Sequence, residues 1–311
     1  LKWNLMDLVK KKFKKYYSQT RIHFLNNQKI INLSNKMKFA FSSNAYRNYS
    51  IEECIDSVHL AGYDAVEIMC DIPHAFPPIS DDKIKSIIES LKKNSMTISN
   101  LNGFMMNAIE DFHHPSWIEE SSNYRQKRIE HTKNCLKLAH LLGAKTVSTE
   151  PGGPKTSKTT EKELELFQQG MLEVLPLAEE LQICLLVEPE PDLLIENSNQ
   201  FLNFIEKFDS KYLGLNFDIG HFFCVNEDPA KLIHKMQDYI RHIHLEDIDS
   251  SRKHHHLIPG HGSIDFKEIF SSLNSINYDG FITVELYPYQ DNPQEAASES
   301  IRFLKPILEN V

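Results

Sequence analysis

A chain of 311 residues, 41% hydrophobic and 25% charged, has the composition of one large or two modest globular domains, and no apolar run approaches the roughly 18 residues a membrane-spanning helix needs. Its formal charge of −9 counts against the basic surface by which proteins hold nucleic acid and favours a small polar substrate. The five cysteines, Cys54, Cys70, Cys135, Cys184 and Cys224, are odd in number, scattered and without C-x-x-C pairing, which suits small buried filler in a soluble, reducing, cytoplasmic setting.

Residues 1–36 are rich in lysine and nearly free of acids. They read as a basic N-terminal extension: a weakly ordered arm, an organellar targeting sequence, or residues upstream of a start at Met37. From Met37 onward, apolar runs alternate with amphipathic stretches, and no Pro/Gly/Ser-rich linker divides them. In chain order the strand-like runs are KFAFSSN, DAVEIMC, MTISNLNG, KTVSTEPG, ICLLVEPEP, LGLNFDIGH, IRHIHLED and GFITVELYPY. A helical stretch follows each, as in SIEECIDSVHLAG, where Ile51, Cys54, Ile55 and Val58 share one face. The alternation predicts parallel strands joined by crossover helices, and eight such units within 37–311 is the count of an α/β fold of the closed (β/α)8 TIM-barrel type. An open doubly wound sheet alternates too, but FSSNAYRNYS lacks the Gly-rich phosphate turn such a sheet carries after its first strand. PGGPKTSKTT has no Walker spacing and reads as a plain turn.

Functional groups of such a barrel sit at the carboxyl ends of its strands. The fifth run ends in Glu188, the sixth in Asp218, the seventh in His244 and the eighth in Glu285. Each alone reads as a helix cap or ion-pair partner. Together, three acids and an imidazole at one mouth would repel unless a divalent cation neutralised them. The mixed oxygen and nitrogen set suits Mn2+, Mg2+, Co2+ or Zn2+. Glu190 shares a strand face with Glu188 and is either a rim residue contacting a sugar or a loop acid. His242, one layer below His244, reads as a hydrogen-bonded core histidine, and the run His254, His255, His256 as a solvated loop rather than a metal site. Glu67, His74, Asn102 and Glu150 are candidates to line the mouth, and Phe76, Trp117, Phe222 and Phe223 to wall a sugar pocket.

The segments FDIGHF, HIHLED, IPGHGSIDFKEIF and YDGFITVEL, in this order and spacing, resemble the xylose-isomerase-like barrels, in particular the sugar isomerase and epimerase branch with D-tagatose 3-epimerase and the inosose-processing enzymes. The resemblance spans about residues 37–309 and is most specific in the C-terminal half. It implies one divalent ion held by Glu188, Asp218, His244 and Glu285, with Glu188 and Glu285 also catalytic. It further implies substrate contact by His221, three residues after Asp218, and by Arg252, which lies further from His244 than the arginine usual in that branch. In PGHG, His261 replaces a glutamate usual in the branch, a departure expected at the substrate rim.

The implied function is a metal-dependent epimerase or isomerase of a ketose, sugar phosphate or related polyol. Glu188 and Glu285, facing the substrate from opposite sides, would remove and return a proton through an enediolate. Three other readings stay open: a keto-cyclitol dehydratase, a DNA-repair nuclease like endonuclease IV, and a non-catalytic metabolite-binding barrel. The nuclease would need more early-strand ligands and a surface that attracts phosphates, which the acidic balance opposes.

Overall fold

The computed structural model describes residues 37–155 and 160–311, so the expectations placed on segment 1–36 lie outside the described residues. β1 (Lys38–Ser42) leads through a 3-10 turn at Ser43–Tyr46 to α1 (Ile51–Ala61), β2 (Ala65–Met69), α2 (Asp81–Lys93), β3 (Thr97–Asn102), α3 (Ser122–Leu142) and β4 (Thr146–Thr149). α4 (Thr160–Leu181), β5 (Cys184–Val187), α5 (Ser198–Ile205), β6 (Leu213–Asp218), α6 (Ile219–Cys224) and α7 (Pro229–Met236) follow. β7 (Ile240–Leu245), α8 (Phe266–Ser275), β8 (Phe281–Val284) and α9 (Pro293–Glu309) complete the chain. Neighbouring strands pair in parallel and β8 returns to β1, closing a (β/α)8 barrel as the alternation predicts. Among the described residues, no helix is long and apolar enough to cross a membrane.

Local chemistry sets where the helices start and stop. Ser50 accepts from the Glu53 amide while the Glu53 carboxylate accepts from the Ser50 amide, a reciprocal cap that starts α1. Gly62 ends it at φ 100°, a left-handed conformation that L side chains avoid. The same left-handed turning at Gly152 and Gly153 makes the loop after β4 a plain turn as far as residue 155.

Side chains alternate along each strand, and the two faces of this sheet differ in kind. Phe41, Val66, Leu101, Val147, Leu185, Phe217, Ile243 and Val284 join helix residues such as Ile55, Phe167 and Phe201 in the hydrophobic core between sheet and helices. The lumen is polar instead of holding the branched apolar residues common in such barrels. Register sets Asn216 beside His242, Asp218 beside His244 and His244 beside Thr283. Asn100 donates to Glu67 at 2.8 Å and to Ser148 at 2.9 Å, and His242 meets the Thr283 hydroxyl at 2.9 Å. His242 is thus the hydrogen-bonded interior histidine expected of its position. A buried polar ladder of this kind is stable only if its members satisfy one another.

The long loop between β3 and α3 is tied down from beneath by Arg128. Its guanidinium is fully buried and donates to the carbonyls of Pro115, Gly103 and Phe104 at 2.9, 2.9 and 2.7 Å. Glu150 lies 3.4 Å from Arg128 Nε, and burial pushes its carboxyl up to about 7 despite that guanidinium. Glu150 therefore supports the loop rather than facing the mouth. Arg128→Met should cost roughly 3–5 kcal/mol, the usual result of removing one partner from a buried ion pair. Urea denaturation measures this, and an unchanged midpoint would remove Arg128 from the account.

Candidate metal centre

Four strand ends deliver the groups expected from the sequence to one point. Glu188 follows β5, Asp218 ends β6, His244 lies near the end of β7 and Glu285 follows β8. One ligand atom from each lies within 4.8 Å of the others, and all four residues are buried. His244 Nδ1 is 2.8 Å from Glu188 Oε1, 3.7 Å from Glu285 Oε1 and 3.9 Å from Asp218 Oδ2.

Each side chain is held by a neighbour in the lumen. Asp218 caps α6, its Oδ1 accepting from the His221 amide at 2.7 Å, while its buried Oδ2 has no hydrogen-bond partner. Asn216 donates to Glu188 Oε2 at 2.7 Å, and Asn44 to Glu285 Oε1 at 2.8 Å. His244 Nε2 lies 2.7 Å from Glu67 Oε2, so Glu67 can accept a hydrogen bond from Nε2–H and leave Nδ1 to face the other ligands. Glu67 thus lies behind the centre, not on the mouth. Neither Asn44 nor Asn216 stood out in the sequence, although Asn216 lies two residues before Asp218 and hence on the same face.

Electrostatics explain what this cluster lacks. Burial raises the Glu285 carboxyl well above the usual range and the carboxylates around it add to the effect; Glu188 is raised for the same first reason. Burial alone would lower His244, but Glu188, Glu67 and Glu285 outweigh it and hold its proton far more tightly than usual. Glu246, also buried, lies against Asp218, and burial followed by the charge of Asp218 and a side-chain hydrogen bond with it raises its carboxyl well above the usual range. Gly220 permits this crowding, since a Cβ there would come within 1.6 Å of Glu246 Oε1. The orphaned Asp218 oxygen and the three-oxygen, one-nitrogen donor set fit a divalent cation.

The centre forms the floor of a cavity of about 290 Å3. Glu190, His221, His254 and His256 line it together with Phe104, Phe112 and Tyr287. Glu190 is therefore a cavity residue rather than a loop acid. His221 Nδ1 lies 3.0 Å from the Pro189 carbonyl, and burial pushes its pKa down to about 3, so the ring is neutral. Of the histidine run, His254 and His256 enter the cavity and only His255 is exposed, so the loop is not simply solvated.

Other expectations are corrected by position. Arg252 is absent from the cavity lining: in a left-handed turn at φ 60°, it donates to the Phe223 carbonyl, stacks on the Phe223 ring at 3.9 Å and lines a separate groove with Asn226 and Asp228. His261 is half exposed and pairs with Glu299 at 2.8 Å instead of reaching the rim. Its loop is gathered on Asp247, whose carboxylate accepts from the amides of Gly260, Gly262 and Ile264. The expected aromatic walls pack elsewhere: Phe76 on His131, Trp117 on Phe167, Phe222 on Phe217 and Phe223 under Arg252. His74 is tied to the Tyr46 carbonyl at 3.1 Å.

A family model described as the xylose isomerase-like TIM barrel matches residues 55–307. The chain belongs to that family. An inosose dehydratase of Geobacillus thermodenitrificans is 23% identical over 286 residues, covering 82% of this chain and 89% of that protein. A solved structure described as a D-tagatose 3-epimerase-like protein superposes with a TM-score of 0.75 at 26% identity, over 88% of this chain and 98% of that one. The IolI protein, solved with a zinc atom, superposes at 0.74 with 17% identity over 88% and 99% of the two chains, a likeness of fold.

In this xylose isomerase-like barrel, Glu67→Gln should weaken Mn2+ binding about 10- to 100-fold, as loss of a group orienting a ligating histidine does. Calorimetric titration of chelator-stripped protein reads this directly. Unchanged affinity would mean that Glu67 does not set the orientation of His244.

Proposed function

We propose that the protein is a divalent-metal-dependent epimerase or isomerase of a ketose or related polyol, moving a proton through an enediolate. The observation that carries this reading is the pair Glu188 and Glu285, which line one cavity from opposite flanks of Asp218 and His244. A divalent ion held by Glu188, Asp218, His244 and Glu285 would supply a Lewis acid for the carbonyl and hydroxyl oxygens of the substrate. The protein's own groups do the rest. Asn216 and Asn44 each hold one oxygen of a glutamate, so each carboxylate is fixed beside the carbon it serves. One glutamate takes the proton next to the carbonyl, and the other, starting protonated, gives its own proton back to the enediolate. Return to the opposite face of the same carbon is epimerisation, and return to the neighbouring carbon is isomerisation.

His221 donates its Nδ1 proton to Pro189, leaving Nε2 to accept from a substrate hydroxyl. Phe104, Phe112 and Tyr287 offer an apolar wall that shields the reacting carbon from water. No lysine or arginine is among the described residues lining the cavity, which favours an uncharged substrate over a phosphate ester and gives a DNA backbone no counter-charge.

Dehydration of a keto-cyclitol is the second reading, favoured by the inosose dehydratase that aligns along most of its length. It begins with the same proton abstraction and then expels a hydroxyl. Incubation of Mn2+-loaded protein with ketoses and inososes in deuterated water tests both: epimerisation or isomerisation incorporates solvent deuterium without loss of water, whereas dehydration lowers product mass by one water. His221→Ala should keep its Mn2+ and lose on the order of 10²-fold in turnover through a misplaced substrate. Full exchange by this variant with only a lowered melting temperature would make His221 a structural residue, and absence of exchange with every ketose and inosose would remove the reading.

A further inference from the structure

Asn102 ends β3 as a buried side chain in the cavity lining, and both ends of its amide are engaged. Its Oδ1 accepts from the Phe104 amide at 3.0 Å, a turn closed two residues on, and its Nδ2 donates to Glu285 Oε1 at 3.4 Å. A backbone N–H only donates and a carboxylate only accepts, so these partners orient the amide. Asn44 donates to the same Glu285 oxygen at 2.8 Å. Asn44 thus makes the shorter bond to Oε1, and Asn102 makes the one that leads to a loop.

Phe104 opens the segment that walls the cavity. Arg128 donates to its carbonyl at 2.7 Å while Asn102 takes its amide, so polar contacts run from Arg128 through Phe104 and Asn102 to Glu285. Phe104 and Met105 join Met69 and Leu193 in a small apolar cluster separate from the main core, with Phe112 packed against it. A satellite cluster under a long loop shifts at lower cost than a core does. The rings of Phe104 and Phe112 are 5.4 Å apart, and Phe112 also meets the ring of Tyr287 at 6.2 Å.

We propose that Asn102 is a positioning residue that ties the aim of Glu285 to the placing of the apolar wall. A wall drawn in over a substrate moves Phe104, Phe104 moves the Asn102 amide, and the amide turns the Glu285 carboxylate toward the carbon it serves. Such coupling is reciprocal, so a Glu285 fixed by a cation steadies the wall in return. The catalytic consequence rests on the isomerase reading, whereas the link itself belongs to the chain and is measured without substrate.

Hydrogen exchange over residues 103–113, followed by mass spectrometry on the full chain with and without Mn2+, reads the link. Mn2+ should slow exchange in this segment of wild type on the order of 10-fold. Asn102→Ser separates the two contacts, since its hydroxyl can still accept from the amide two residues on but is too short to reach Glu285. This variant should bind Mn2+ with near wild-type affinity, because Asn44 still holds Oε1, and should lose the slowing. If it does not fold, Asn102→Asp keeps the bulk, cannot donate to Glu285 and carries the same expectation. With the ketose or inosose that wild type turns over, Asn102→Ser should lose about 10-fold in kcat for solvent deuterium incorporation with KM nearly unchanged, as a misaimed group does. A wild type whose exchange Mn2+ leaves unslowed, equal slowing in wild type and Asn102→Ser, or an unchanged kcat in the variant overturns the proposal. Slowing in wild type that Asn102→Ser loses, in a protein that turns over no ketose or inosose, would strike the isomerase reading and leave the link standing.

Discussion

Buried negative charge without a matching positive partner is the constraint on which this barrel turns. Glu67, Glu188, Asp218, Glu246 and Glu285 are all buried around the imidazole of His244, which contacts Glu67 and Glu188 directly. Transfer of one ionised carboxylate into such surroundings costs several kcal/mol even after relaxation. The polar lumen lowers that cost by giving the acids donors in Asn44, Asn100 and Asn216. Those amides carry no formal charge, so they solvate the acids without neutralising them, and a divalent cation is the economical completion.

The fold supplies the precision. β5 to β8 bring their terminal groups together through strand stagger: Asp218 pairs beside His244, while Glu285 lies two residues past Thr283, the partner of His244. Caps and close packing then fix which atom faces inward: α6 takes one oxygen of Asp218, and the absence of a side chain at Gly220 lets that turn approach Glu246. The loop above is held by Arg128, whose bonds to the carbonyls of Gly103 and Phe104 anchor the segment bearing the apolar wall. Stability and site are built from the same buried polar contacts.

The strands and the four converging residues were legible because a carboxylate or imidazole at the end of an apolar run breaks a pattern. What surrounds them was less so, for identifiable reasons. Asn44 and Asn216 are ordinary polar residues whose role appears only when a neighbouring strand brings Glu285 or Glu188 alongside. Glu67 looked like a residue of the mouth, but its depth in the lumen depends on register, which spacing along one strand does not reveal. Arg252 and the histidine run lie on a loop whose direction is set by a left-handed turn and a single antiparallel bridge, and residue type alone signalled neither. The aromatic walls were misplaced because large rings after a strand are as easily packed under a helix, as Trp117 and Phe222 are, as turned into a cavity.

The central claim is that the converging acids hold a cation at the floor of the cavity. Anomalous diffraction at the manganese absorption edge from crystals soaked in Mn2+ tests it most directly. The account predicts a strong peak within coordination distance of Glu188, Asp218, His244 and Glu285. A saturating soak that leaves this position without anomalous density, or places the peak away from these four side chains, would contradict it.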